Sequence, residues 1–352
     1  MKQIKLKYLF ISLAFATVLA SCSKEKIKPT PDTPGSERAG LYVLNQGGIG
    51  HNNSTLTYYD YTLKKLTSDI FTVANTEKLG DTGNDLGIYG SKMFIVVNNS
   101  DLLDIAEAKT SKLIKKINLT QPRSVVFYKS NAFVTSYSGT VSVIDTTSLT
   151  IIKTINVGRS PEQMVVSNGK LYVANSGGLD YPDFDKTVSV IDLTTLAEVK
   201  KITVTVNPIT ITADTYGNVY VLSAGNYGDI SAGISIIDNT TDIVKSQSDL
   251  SLGYNIPIAA YGDYVYYPTA DNKIAMYNAK TQKLERANFI TSDVTITAPY
   301  AITVDSITGE VFIADAKDYS SNGTVTAFDK NGTKEYSIET GVNPGRITLL
   351  NK

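Results

Sequence analysis

Seven times along the chain an apolar run is followed by a turn of small and polar residues, then by a second alternating run that usually closes on Asp. Six of the first runs carry an aromatic residue at the same place: LYVLN at Tyr42, MFIVVN at Phe94, AFVTS at Phe133, LYVAN at Tyr172, VYVLS at Tyr220 and VFIAD at Phe312. In YVYYP the equivalent position is Val265. Successive anchors lie 39 to 52 residues apart, about 45 on average, the length of a four-stranded propeller blade. The second runs are STLTYYD ending at Asp60, TVSVID at Asp145 and again at Asp192, GISIID at Asp238, KIAMYN at Asn278 and TVTAFD at Asp329, with DLLDIAE near Glu107 a weaker copy. All are period-2 runs rich in β-branched and aromatic residues, cut by Gly, Asn, Asp and Pro, the pattern of short strands and tight turns.

Each unit adds a third strand-like run, such as IIKTINV at 151–157 or EVKKITV at 198–204, and a fourth that begins near Pro or Gly. The fourth runs are TGNDLGIY, QPRSVVF, SPEQMVV, NPITITA, NIPIAAY, APYAITV and NPGRITL. Proline fixes φ and lacks an N–H, so it suits the first residue of a strand. The last of these runs ends almost at the C-terminus with no complete unit after it, whereas the first unit, near Leu41, lacks a preceding inner strand. Residues 346–350 are therefore expected to complete the first blade, closing the ring and removing an exposed sheet edge. The predicted fold is all-β: a seven-bladed β-propeller over 39–352, closed by its C-terminal strand.

The N-terminus reads differently. Lys2, Lys5 and Lys7 precede an apolar stretch from Tyr8 to Ala20, and Leu19-Ala20-Ser21-Cys22 matches a bacterial lipobox. The run is too short to span a bilayer securely, so 1–21 is expected to be a lipoprotein signal peptide. Cys22, the chain's one cysteine, is the expected lipidation site, since it has no partner for a disulfide. Residues 22–38 form the lipidated Cys and a flexible Pro-, Lys- and Ser-rich tether. Cleavage would take the formal net charge from −1 to −4, and a mildly acidic chain without a basic stripe argues against nucleic acid as a partner.

The residue inventory removes several chemistries. His51 is the single histidine, which argues against a His-based metal site, a Ser-His-Asp triad or a Cys-His dyad. It lies in the polar loop QGGIGHNNS, as a loop residue or a ligand contact. No cofactor is expected: there is no P-loop, and the GxG in QGGIGHN lacks strand-to-helix context. Asp180, Asp183 and Asp185 in GGLDYPDFDK are spaced loosely like a calcium loop, without its Gly and terminal Glu. They read as solvated loop acids, with bound calcium or catalysis as the alternatives. The repeated Asp145, Asp192, Asp238 and Asp329 are expected to be structural, each accepting backbone N–H groups in the following turn.

In an up-and-down blade, the loop entering the inner strand and the loop between the second and third strands emerge at one end. The irregular sequence collects in these loops. They bring Arg123, Arg159 and Arg346 toward the channel mouth, with Asn45, Asn98, Gln163 and Asn175 nearby, and Tyr137, Tyr181, Phe184, Tyr227, Tyr254, Tyr300 and Tyr319 toward the rim. Tyrosine gives rigid contact area with a polar tip, and Arg and Asn give oriented donors, a mixture suited to a bulky polar ligand. The same composition also serves unspecialised turns. Two other readings stand beside ligand capture: an envelope propeller that binds a protein or glycan, and a metal-dependent hydrolase or lactonase, for which Asp85, Glu162 and Asp315 would have to converge on the channel.

At GLYVLNQGGIGHNNSTLTYYDY, KLGDTGND, MFIVVNNS, GRSPEQMVVSNGKLYVANSGGLDYPDFDKTVSVIDL, AGNYGDI and PYAITVDSITGEVFIADAKDY, the chain resembles the YncE-like, surface-layer-type β-propeller lipoproteins of Bacteroidetes, over roughly 39–350. The resemblance implies a non-enzymatic, monomeric outer-membrane lipoprotein held to the membrane by its lipid anchor alone and exposed at the cell surface. Such a protein captures a scarce metal complex, a corrinoid such as vitamin B12 or a ferric siderophore, and passes it to a TonB-dependent transporter. The chain has no Trp, unlike corrinoid-binding members, and three arginines near the mouth suit an anionic ferric catecholate, so the siderophore is the expected ligand. Surface export in this phylum favours acidic residues after the lipidated Cys; Ser23-Lys24-Glu25-Lys26 is mixed, which leaves a periplasmic orientation open.

Overall fold

A computed structural model describes residues 37–250 and 256–352; the lipobox, Cys22 and Tyr254 lie outside them. Seven four-stranded antiparallel sheets follow one another along the chain. Blade 1 spans 38–67, blade 2 83–118, blade 3 122–156, blade 4 161–203, blade 5 208–249, blade 6 259–286 and blade 7 299–342. The last strand, Pro344–Asn351, pairs antiparallel with Arg38–Asn45 as the inner strand of blade 1. The expected closure is thus present, over a slightly longer segment. Each inner strand packs beside the next around the ring, and Pro344–Asn351 touches the inner strands of both blade 2 and blade 7.

The near-continuous apolar runs follow from burial on both faces of each sheet. Along Arg38–Asn45, Leu41 and Val43 join Phe312, Ala314 and Val325 of blade 7. The alternate residues Tyr42 and Leu44 join Leu86, Met93 and Ile95 of blade 2. With side chains alternating across the strand, both sets are removed from water, each large side chain contributing about 1.5–3 kcal/mol. The recurring Asp caps the outer turn: Asp192 Oδ1 accepts the N–H groups of Thr194 and Thr195 at 2.8 Å each, and Asp145 and Asp238 repeat the geometry. These bonds hold the carboxyls of Asp145, Asp192 and Asp238 below their ordinary range.

A short helix, Ile70–Asn75, was not anticipated. It occupies the longest repeat step, between Tyr42 and Phe94, and follows an outer strand of only three residues, Lys65–Thr67. Asp69 caps it, Phe71 is buried against blades 1 and 2, and the Asn75 amide bonds the Ser111 carbonyl and the Leu113 N–H.

The Asn that ends the second strand in blades 1 and 4 braces the third. Asn175 Nδ2 donates to Thr187 and Ser189 at 3.0 and 2.9 Å, and Asn45 Nδ2 donates to Thr55 and Thr57 at 3.0 and 2.9 Å. Blade 2 breaks this pattern. Val97 stands in the Asn position, and Asp104 stands where Thr57 and Ser189 stand in blades 1 and 4. Asp104 is fully buried, and neither carboxylate oxygen has a hydrogen-bond partner.

Candidate functional site

The residue that heads the inner strand, Pro in five blades and Gly83 in blade 2, does more than start it. In six blades the ladder slips just after the first inner-strand residue, leaving one extra residue on that strand. The slips fall at Asn84, Arg123, Glu162, Ile209, Tyr300 and Gly345, the second residue of each strand. A bulge of this kind releases a side chain from the sheet's alternation and re-aims it. Here the released residues meet their neighbours from adjacent blades at one end of the channel.

Arg123 is the hub. Its Nη1 donates to Asn84 Oδ1 at 2.6 Å and its Nε to Glu162 Oε2 at 2.8 Å, while its guanidinium lies 4.7 Å from the Tyr137 ring centroid. Tyr137 Oη donates to the other Glu162 oxygen. Burial opposes the guanidinium charge, but Glu162 and Tyr137 outweigh it and hold Arg123 above its ordinary pKa. Burial and the adjoining Glu162 carboxylate push the Tyr137 phenol up.

The next pair repeats the logic: Arg346 Nε lies 3.0 Å from Asp85 Oδ1, and Asp85 Oδ2 accepts from Ser124 Oγ at 2.7 Å and Val125 N at 2.9 Å. Tyr300 donates to Gln46 and meets Tyr319 edge-on at 6.1 Å. Its burial, only partly opposed by Arg123, pushes the Tyr300 phenol up to about 12. Gly345 lies beside the Tyr300 ring, where an added Cβ would make an ordinary contact at 3.4 Å.

Toward the rim, Arg159 Nη1 contacts Asp180 at 2.9 Å and Asp183 at 3.5 Å, and Asp185 accepts the Arg159 N–H. Tyr181 and Tyr227 flank Phe184 edge-on at 5.8 and 5.6 Å. A groove of about 600 Å³ runs here between blades 3 and 4, lined by Tyr137, Ser138, Arg159, Ser160, Leu179 and Asp180 among others.

The crown therefore gathers Arg123, Arg346, Tyr137 and Tyr300 at the mouth, and Arg159, Tyr181, Tyr227 and Tyr319 farther out. Gln163 follows Glu162 in the same bulge. Three other expected contacts have structural partners instead. Asn45 and Asn175 are fully buried in the sheets, and Asn98 donates to the Pro122 carbonyl at 3.0 Å. His51 is an exposed loop residue.

The arginines differ from the expectation in charge. Each stands against a carboxylate, so the mouth presents alternating donors and acceptors rather than a cationic ring. Asn84 and Gln46 were not anticipated, although a signal existed: Asn84, Arg123 and Glu162 are each 39 residues apart, one blade step, and so occupy equivalent places on successive blades.

The carboxylates named for a hydrolase each have partners within the protein. Asp85 and Glu162 are engaged as described, and Asp315 accepts the N–H groups of Thr297, Ala298 and Lys317. Among the described residues no group of three or more His, Cys, Asp or Glu is arranged to hold a metal ion, and no helix is long and apolar enough to cross a membrane.

Residues 39–344 match the family model described as Domain of unknown function (DUF5074). The chain belongs to the DUF5074 family. No curated protein matches it. Among solved structures, this DUF5074 chain is similar to the hydrazine synthase of Kuenenia stuttgartiensis, at TM-score 0.64 and 16% identity over 77% of this chain and 95% of that one. It is also similar to a quinonprotein alcohol dehydrogenase-like protein from Bacteroides thetaiotaomicron, at TM-score 0.63 and 17% identity over 90% and 79% of the two chains. The WD40 propeller domain of Doa1 matches at TM-score 0.57 and 12% identity over 81% and 90%. At such identities the likeness is one of fold, and it bears on the propeller alone.

Proposed function

We propose that this DUF5074 protein is a binding propeller of the cell envelope, anchored by a lipid on Cys22, that captures a bulky scarce-nutrient metal complex at its crown and hands it to a TonB-dependent transporter. The observation that carries the reading is the ring of bulged residues, which aims Asn84, Arg123, Glu162 and Tyr300 at one mouth while rim tyrosines stand around it. Binding without turnover suits side chains already held in hydrogen-bonded pairs, which present oriented polar groups at little reorganisation cost.

The ion pairs also bear on the ligand class. A ferric catecholate is anionic and offers acceptors, and it would meet Glu162, Asp85 or Asp180 beside each arginine it approached. A corrinoid fringed with amides carries donors and acceptors together and complements the alternation. We therefore favour the corrinoid over the siderophore expected from the arginines alone. Calorimetric titration of the purified protein with cyanocobalamin and with a ferric tris-catecholate tests this. Saturable one-to-one binding of cyanocobalamin, weakened at least about tenfold by Arg123→Ala, is the expected result. Tight binding of the catecholate alone would reverse the ligand assignment, and binding of neither would remove the capture reading.

A further inference from the structure

The outer strands of the blades slip in register at one fixed place, as the inner strands do. In blades 2 to 7 the extra residue is, in order, Ile114, Ile152, Val199, Lys245, Glu285 and Glu335. Bulging an edge strand protects it from pairing with another chain, and a charged residue serves that purpose best. Blades 5 to 7 follow this rule.

Blades 2 to 4 do not. Three adjacent blades place a β-branched aliphatic there, exposed to 47%, 53% and 58%, and each is followed by a lysine: Lys115, Lys153 and Lys200. Lys153 and Lys200 reach the carbonyls of Thr195 and Thr241 in the next blade's turn, and none of the three lysines is ion-paired with a described carboxylate. Over these outer strands, Leu113–Asn118, Thr150–Asn156 and Ala197–Thr203, there are five lysines and the single acid Glu198; Lys116 pairs with Glu77 and Lys201 with Glu198, which leaves one such lysine per blade. Edge protection accounts for the lysines and leaves the exposed aliphatics unexplained.

We infer that the outer wall of blades 2 to 4 is a docking face for a bilayer surface bearing anionic headgroups. The repeated pair of one aliphatic side chain and one ammonium matches such a surface in both respects: the lysines attract the headgroups, and the aliphatics enter the boundary beneath them. A folded protein partner would more often be met by aromatic anchors and fitted pockets, and these three strands carry no aromatic residue, their repeated feature being one aliphatic and one ammonium group. The inference is independent of what the crown binds.

The test is co-sedimentation of residues 23–352, which lack both the basic, apolar leader and the acyl attachment site and keep the whole closed ring, with vesicles of phosphatidylcholine alone or mixed with phosphatidylglycerol. The expected result is partition onto the mixed vesicles, loss of that partition in raised salt, and a drop of at least about fivefold for each lysine reversed in Lys115→Glu, Lys153→Glu and Lys200→Glu. Ile152→Asp should lower it as well, while Lys245→Glu on blade 5 should leave it unchanged, each variant keeping the parental melting curve. Equal partition onto both vesicle types, no partition at all, or insensitivity to the three reversals would overturn the inference. The last outcome would place any membrane contact elsewhere in the chain.

Discussion

Replacing Asp104 by Ser should stabilise the protein at neutral and alkaline pH and do little in acid. Asp104 is buried where other blades carry a hydroxyl, and it lacks a donor because Val97 replaces the strand-end Asn that braces blades 1 and 4. Burial is the main cause that pushes its carboxyl up to about 6 from 3.8; Lys116 opposes the shift and Glu77 adds to it. At 1.36 kcal/mol per pH unit, that difference puts the cost of holding the ionised group inside at ~3 kcal/mol.

The sign follows from linkage. Because the folded-state pKa is raised, the native state carries no penalty below about pH 4, where the group is neutral folded or unfolded, and loses stability as pH rises through about 6. Asp104→Ser should therefore raise Tm by about 4–5 °C at pH 8, with the gain vanishing near pH 4. Melting curves of both proteins across this range, followed by circular dichroism, provide the check. A gain of the same size at both ends would mean that the carboxylate's charge is not what destabilises blade 2, and a loss at pH 8 would mean that the group has a partner.

Two further outcomes concern ring closure. Deleting the last eight residues removes most of the inner strand of blade 1 and uncovers Leu41 and Val43, so Tm should fall sharply or the protein become insoluble; an unchanged Tm would refute closure by this strand. Arg38→Ala strands the buried Asp305 carboxylate, which Arg38 contacts at 2.6 Å, and should cost about 3–5 kcal/mol in urea unfolding. Asp305→Asn in the same background should recover part of that loss.

The blades were legible because two-faced burial writes a periodic apolar signature, and because Asp and Pro mark the turns at fixed places. The helix Ile70–Asn75 escaped because a six-residue segment with one fully buried side chain leaves little periodicity, although the long step between Tyr42 and Phe94 marked an insertion. The mouth was legible only in composition. A bulge adds one residue without changing residue type, so strand alternation alone could not show that Arg123 and Glu162 leave the ladder. Their pairing lies between blades, beyond the reach of local pattern. Asn45 and Asn175 illustrate the converse: both are polar and sit near a loop, yet they serve as internal braces.

Because a released residue sits outside the alternating register, its identity is nearly uncoupled from the packing that keeps the ring shut. Charge, ring or hydrogen can stand at that place in one blade without disturbing the neighbouring ladder, as Arg123, Tyr300 and Gly345 show. Such an architecture separates durability from taste: a lineage could rewrite what its mouth recognises one position per blade, leaving the walls untouched.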